Sequence, residues 1–205
     1  MEVHILMRLV IFDVDDTGWG LNDRICNILG IDISKVKNFY IKHNEELDEN
    51  EKKLLIEKYS DSKIFENIEW YEGFGSIFDL EQLGCTVHIN SNCNTQAVKE
   101  TKHIELVDKL GFPDEKVTLN VIADAKNKNL DDDIYILVDD SPFNIAKSKA
   151  IYNISLKKPW NTSKQGLETI GDKKVIFCNN FIEILITIEE LLCGAEKYER
   201  YKNNI

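Results

Sequence analysis

Short runs of apolar residues alternate along the chain with longer segments in which apolar residues recur at helical spacing. The short runs are rich in β-branched and aromatic residues, which favours strands; they are residues 8–12, 85–90, 117–122, 134–138, 151–156 and 174–177. The helical spacing predicts helices over residues 22–29, 33–47, 50–59, 76–83, 96–110, 142–149 and 180–200. This alternation is typical of the α/β class, with a doubly wound parallel sheet and helices on both faces.

The segment between the first two predicted strands is mostly helical and carries Lys and Glu between its apolar positions. We predict that residues 20–71 form a small helical cap inserted after the first strand, and that residues 1–19 and 72–205 form the core domain. Gly73 and Gly75 supply backbone freedom where the chain returns to the core.

Polar side chains follow three of the predicted strands. They are Asp13, Asp15, Asp16 and Thr17 after the first, Ser91 and Asn92 after the second, and Asp139 and Asp140 after residues 134–138. Because the carboxyl ends of parallel strands share one edge of a sheet, these residues predict one common site. Asp13 and Asp15 leave an extended backbone on the same side, and a divalent cation such as Mg²⁺ would offset their repulsion. Taken alone, residues 15–17 also suit a turn and helix cap.

The order of these residues resembles the haloacid dehalogenase superfamily of phosphohydrolases. The matching positions are Asp13-Val14-Asp15-Asp16-Thr17, Ser91, a lysine at 126 or 128, and Asp139-Asp140. Within that superfamily the chain is most similar to the 5'(3')-deoxyribonucleotidase family and its phage and bacterial relatives, through residues 136–145 and Lys158-Pro159-Trp160-Asn161. The chain departs from many relatives at Gly18, where they have an apolar residue.

The resemblance implies an Mg²⁺-dependent phosphatase that acts on a small phosphate monoester through an aspartyl-phosphate intermediate. Asp13 would be the nucleophile, and Asp15 the general acid and then the general base. The implied metal ligands are Asp13, the backbone carbonyl of Asp15, and Asp140. Asp139 and Asn144 would support the site from outside the ligand shell, and Thr17 would support the loop. The implied phosphate-binding groups are Ser91, the backbone amides of Val14 and Asn92, and either Lys126 or Lys128.

The expected substrate is a small phosphorylated molecule, with a deoxyribonucleoside monophosphate as the preferred class. Four aromatic residues near the predicted cap would line a slot for a flat base; they are Trp19, Trp70, Tyr71 and Phe74. Ordinary packing between two subdomains is the alternative for each of them. Sugar or other metabolite phosphates are alternative substrates. A non-catalytic protein of this fold that binds a phosphorylated ligand is the second hypothesis.

Composition narrows the class of partner. The formal net charge of −11 opposes binding to a nucleic-acid polymer.

The odd number of cysteines, five, and their wide spacing favour free thiols in a reducing compartment. Cys93 lies two residues after Ser91 and is either a reactive thiol or a core thiol. No apolar run is long enough to span a membrane, and the start lacks signal-peptide features. We expect a soluble, cytoplasmic monomer or homodimer.

Overall fold

One sheet organises the computed structural model, which describes residues 8–121, 133–161, 169–170 and 172–194. Its strands are β1 (Arg8–Phe12), β2 (Cys85–Cys93), β3 (Val117–Val121), β4 (Ile134–Val138), β5 (Tyr152–Leu156), β6 (Thr169–Ile170) and β7 (Lys173–Cys178). Their order across the sheet is β3-β2-β1-β4-β5-β7-β6. All neighbouring strands pair in parallel except β6, a short antiparallel strand that the sequence did not predict. The predicted α/β class with a parallel sheet is confirmed.

The α-helices of the described residues are α1 (Leu21–Leu29), α2 (Glu49–Lys58), α3 (Gln96–His103), α4 (Pro142–Lys147) and α5 (Phe181–Cys193). Segments of 3-10 helix cover Ile33–Lys35, Ile41–His43, Ser62–Phe65, Phe74–Leu83 and Asp114–Lys116. The predicted helix over residues 96–110 is divided, because a π-helical segment, Ile104–Lys109, follows α3 directly. Helices α1 and α2 both lie between β1 and β2, as the predicted insertion requires. The domain boundary at residues 20–71 stays a prediction.

The predicted helix over residues 33–47 is wrong. Only the two 3-10 turns Ile33–Lys35 and Ile41–His43 form there. The buried Asn44 side chain accepts the Asn38 backbone N–H at 2.6 Å and donates to the carbonyls of Asn38, Tyr40 and Ile41. An asparagine side chain that bonds to nearby backbone in this way replaces the helical hydrogen-bond pattern with a compact loop.

The register of β1 sets the position of the site. Phe12 pairs with Ile89 of β2 and with Val138 of β4, so the three strands reach the same level. Asp13 and Asp139 therefore emerge side by side. Strand β2 continues past this level to Cys93, so Ser91 and Asn92 lie within the strand rather than after it.

The hydrophobic core runs without interruption from the sheet into the insertion. Ile25 of α1, Leu55 of α2 and Phe65 are buried in the same cluster as Val10 and Phe12 of β1. The insertion also reaches the loop after β1, where the Phe65 ring packs edge-to-face against Trp19.

No helix in the described ranges is long and apolar enough to cross a membrane. Cys93 is buried, and burial raises the pKa of its thiol to about 11. Cys93 is therefore a core thiol in this structure. Its raised pKa leaves almost none of it as thiolate at neutral pH, and the thiolate is the strongly nucleophilic form.

Candidate functional site

Three buried carboxylates meet where β1 and β4 end. One oxygen from each of Asp13, Asp139 and Asp140 lies within 4.8 Å of the other two. Asp13 is held beside β4 because its backbone N–H donates to the Val138 carbonyl at 2.8 Å. Buried carboxylates this close repel one another unless a cation or protons offset their charge. A set of oxygen donors suits a hard divalent cation such as Mg²⁺, so the residues fit the metal that the sequence predicted.

The segment from Lys158 to Asn161 holds Asp140 in place. The Trp160 indole Nε1–H donates to Asp140 Oδ2 at 2.8 Å, and the Asn161 side-chain amide donates to the Asp140 carbonyl at 3.1 Å. Asn161 is itself oriented by the Lys158 backbone N–H, which donates to its Oδ1 at 2.9 Å. Burial, followed by the charges of Asp16, Asp13 and Asp139, raises the pKa of Asp140 well above its ordinary value. A bound cation would act in the opposite direction.

Asp139 is oriented by the first turn of α4. Its Oδ1 accepts the Ser141 backbone N–H at 2.9 Å. The Asn144 side-chain amide donates to Oδ2 at 3.0 Å and to Oδ1 at 3.2 Å. These bonds fit the supporting role predicted for Asp139 and Asn144, although the Asp139 carboxylate also belongs to the three-carboxylate cluster.

The Asp15 side chain lies apart from that cluster and has two other donors. The Trp19 indole Nε1–H donates to its Oδ1 at 3.1 Å, and the Lys102 ammonium donates to its Oδ2 at 2.5 Å. Burial raises the pKa of Asp15, the Lys102 charge lowers it, and the net effect is a raised pKa. A carboxyl group outside the three-carboxylate cluster is available for proton transfer to a leaving group.

Asp16 connects the loop after β1 to the insertion. Its backbone φ is 55°, and its carboxylate accepts the Asn22 backbone N–H at 3.0 Å and the Asn22 side-chain amide at 2.6 Å. Burial raises the pKa of Asp16 to about 7, against the lowering effect of Lys158. These contacts tie the loop after β1 to the start of α1. Thr17 is buried in the same loop, and its hydroxyl has no hydrogen-bond partner among the described residues.

Neither a protein-family model nor a curated protein sequence matches the chain. Solved structures from several organisms have the same fold. A haloacid dehalogenase-like family hydrolase from Streptococcus pneumoniae is 12% identical with a TM-score of 0.57, over 88% of this chain and 98% of that one. A haloacid dehalogenase hydrolase of family IA from Entamoeba histolytica is 17% identical with a TM-score of 0.53, over 92% and 100%. A candidate phosphatase from Clostridium difficile is 17% identical with a TM-score of 0.53, over 89% and 98%.

The fold is haloacid dehalogenase-like. At these identities the comparison establishes the fold, while the chemistry has to be argued from the site itself.

Within this haloacid dehalogenase-like fold, the predicted phosphate-binding residues are only partly brought together. Ser91 is buried, and its hydroxyl lies 3.4 Å from Lys102 Nζ. Asn92 follows it in β2, and Val14 is buried in the loop after β1. Lys126 and Lys128 lie outside the described residues.

The four predicted aromatic residues do not share one role. Trp19 and Phe74 are 1% and 0% exposed, so the packing alternative describes both of them and neither offers a face to a base. Trp70 is partly exposed and stacks on Phe74, with ring centroids 4.8 Å apart. Tyr71 is also partly exposed, and its hydroxyl accepts a hydrogen bond from Lys158 Nζ at 3.0 Å.

Two groups in the site were not given roles by the sequence. Lys102 lies in α3, where a lysine among polar neighbours is normally solvated, and no local pattern distinguishes it. Lys158-Pro159-Trp160-Asn161 was noted only as part of the family resemblance. The buried Trp160 and Asn161 become recognisable as site residues only through their contacts with Asp140.

Proposed function

We propose that the protein is an Mg²⁺-dependent phosphatase that hydrolyses a small phosphate monoester through an aspartyl-phosphate intermediate. One observation carries the proposal. Three buried carboxylates converge at the end of β1 and β4, while a fourth, Asp15, is held apart from them by Trp19 and Lys102. The first group supplies a nucleophile and cation ligands, and the separate carboxyl supplies a proton donor.

Asp13 and Asp140 would hold the cation through their carboxylates, together with the Asp15 backbone carbonyl. Asp139 and Asn144 would support them from outside the ligand shell. When bound, Mg²⁺ neutralises negative charge on the oxygens of the transferred phosphoryl group.

In the first step, a carboxylate oxygen of Asp13 attacks phosphorus. The bond from phosphorus to the ester oxygen breaks, and that oxygen keeps the electron pair and takes the proton of the Asp15 carboxyl group. In the second step, the Asp15 carboxylate takes a proton from water as the water oxygen attacks phosphorus. The bond to Asp13 then breaks, which restores its carboxylate and releases inorganic phosphate.

The substrate class that we propose is a deoxyribonucleoside monophosphate. This rests on the family resemblance at residues 136–145 and at Lys158-Pro159-Trp160-Asn161. Trp70 and Tyr71 are the two members of the predicted aromatic set that keep exposed surface for a base. Sugar phosphates are the competing class.

Phosphate release is measured from a panel of 5'- and 3'-nucleoside monophosphates and sugar phosphates, with Mg²⁺ and with EDTA. We expect Mg²⁺-dependent release from nucleotides, and loss of that release in Asp13→Asn because the nucleophile is gone. Asp79→Asn, which changes an exposed aspartate outside the site, is the matched control and should match the wild type.

Release confined to sugar phosphates would contradict the nucleotide class and retain the chemistry. Mg²⁺-dependent binding of a phosphate ester without any release would instead identify the non-catalytic binding protein. Full activity of Asp13→Asn would contradict the aspartyl-phosphate intermediate.

A further inference from the structure

Lys102 is a fully buried lysine beside the acidic loop that follows β1. Its side chain is 1% exposed, and it projects from the last turn of α3. Burial of an ammonium group costs free energy unless the charge is paired and its hydrogens are bonded. The surroundings of Lys102 must therefore supply these partners. Lys99, one turn earlier in the same helix, is partly exposed and needs none.

The partners of Lys102 account for all of its hydrogens. Nζ lies 2.5 Å from Asp15 Oδ2, 2.8 Å from the Asn92 carbonyl oxygen and 3.4 Å from Ser91 Oγ. An ammonium group has three N–H donors. With three oxygen partners from the protein, it has no further donor for a substrate phosphoryl oxygen.

The carboxylate of Asp15 is held from both sides. Trp19 donates to Oδ1 at 3.1 Å, and Lys102 donates to Oδ2. Phe65 packs against both donors. Its ring meets the Trp19 ring edge-to-face with the centroids 5.7 Å apart, and the Phe65 centroid lies 5.0 Å from Lys102 Nζ. Both donors are thus fixed by the core, which restricts the carboxylate to one orientation.

We propose that Lys102 is a positioning residue that holds Asp15 in the orientation needed for proton transfer to the leaving oxygen. The inference rests on the proposed function and extends it to a residue outside the motifs. Orientation matters because a proton donor must lie within hydrogen-bond reach of the departing oxygen. A cation that instead bound the phosphoryl group would need a free donor directed at the substrate.

Leaving groups of different basicity separate these two roles. p-Nitrophenolate leaves readily without a proton, whereas an alkoxide needs one. The substrates are p-nitrophenyl phosphate and the best alkyl monoester of the panel above. The quantity compared is kcat/KM, which covers the steps up to departure of the alcohol and excludes hydrolysis of the intermediate.

Lys102→Met is the test variant, because it keeps most of the side-chain volume and removes the charge. We expect kcat/KM for the alkyl monoester to fall by about a hundredfold, and kcat/KM for p-nitrophenyl phosphate by less than about threefold. Lys99→Met, on the same helix, should leave both values unchanged. If Lys102→Met does not fold, as judged by circular dichroism, Lys102→Gln takes its place with the same two substrates.

An equal loss on both substrates would overturn the positioning role and indicate a contact with the phosphoryl group or a general structural role. Unchanged values on both would also overturn it. Hydrolysis of neither substrate by the wild type would overturn the proposed function itself, and this inference with it. The two failures are therefore distinguished by the wild-type measurement.

Discussion

At the scale of single residues, Trp160 shows how a neutral donor can organise a charged site. It is 5% exposed and donates one hydrogen bond to the Oδ2 atom of Asp140. That bond orients the carboxylate, and in the proposed site its other oxygen would be the one to bind the cation. Partners of this kind tune metal affinity although they do not touch the metal.

Replacement of Trp160 by Phe should weaken Mg²⁺ binding. The ring is largely retained, but the donor to Asp140 is lost, and we expect the dissociation constant for Mg²⁺ to rise about tenfold or more. The readout is the thermal midpoint as a function of Mg²⁺ concentration, since an ion that binds only the folded protein raises that midpoint. EDTA should lower the wild-type midpoint to its metal-free value.

Trp70→Phe is the matched control, because Trp70 stacks on Phe74 and has no described hydrogen bond to the carboxylate cluster. An identical Mg²⁺ dependence for Trp160→Phe and the wild type would show that this bond does not act on the metal.

At the scale of elements, the loop after β1 is shaped by what packs against it. The Gly18 carbonyl accepts the Tyr71 backbone N–H at 2.9 Å, which ties the loop to the returning chain. A Cβ atom at Gly18 would lie 2.4 Å from Cε2 of Phe74. Phe74 is fully buried against Phe112 and Phe181, so its ring has little room to move. This contact leaves room for glycine at position 18 and none for a larger residue.

Gly18→Ala should therefore lower the free energy of unfolding by about 1–3 kcal/mol through overpacking. Gly75→Ala is the control, because its added Cβ would meet nothing closer than 3.9 Å from Leu110. The control should change the unfolding free energy by no more than about 0.5 kcal/mol. Urea unfolding measures both, and equal losses in the two variants would mean that the Phe74 contact is not responsible.

At the scale of the whole molecule, the insertion and the sheet are joined by a buried acid in the π-helical segment. Glu105 accepts the backbone N–H groups of Asn67 at 2.8 Å and Ile68 at 3.3 Å, where the chain returns from the insertion. It also accepts a hydrogen bond from Lys109 at 2.5 Å. Burial by itself raises the pKa of Glu105, but these three donors outweigh it and the pKa is lowered.

A lowered carboxyl pKa means that Glu105 stabilises the folded protein at neutral pH and loses that contribution as pH falls through its folded pKa. Glu105→Gln should cost about 1–2 kcal/mol of unfolding free energy at pH 7, because a charged acceptor is lost. The difference from the wild type should begin to shrink as the pH falls below about 4.3, the ordinary glutamate pKa, and should vanish below the lowered folded pKa, where the wild-type carboxyl is also neutral. Urea unfolding across this pH range measures it.

Glu115→Gln is the control, since Glu115 is exposed and has no described hydrogen bond, and its effect should be small at every pH. A Glu105→Gln penalty that stays constant from pH 7 to pH 3 would show that the charge of Glu105 is not what joins the two parts.

Local pattern was sufficient for much of the fold. Apolar runs located the strands that meet at the site, and Asp48 and Asn180 begin helices α2 and α5 as capping residues. Both signals act within a few residues of chain, so they can be recognised without tertiary contacts. The acidic residues that follow β1 and β4 can also be recognised from local sequence. Because the two strands are parallel, their carboxyl ends then lie at one edge of the sheet. The segment at 33–47 failed because a single buried asparagine outweighed its helical spacing.

The sequence by itself determined the α/β class, the parallel strands and the convergence of Asp13, Asp139 and Asp140. Only the tertiary structure decided that Trp19 and Phe74 are core residues, that Trp160 orients Asp140, and that Lys102 meets Asp15. The last two residues are 87 positions apart in the chain. A lysine has the same local pattern whether its ammonium lies in water or against a carboxylate, because its long apolar stem suits both. Packing between distant elements decides between the two.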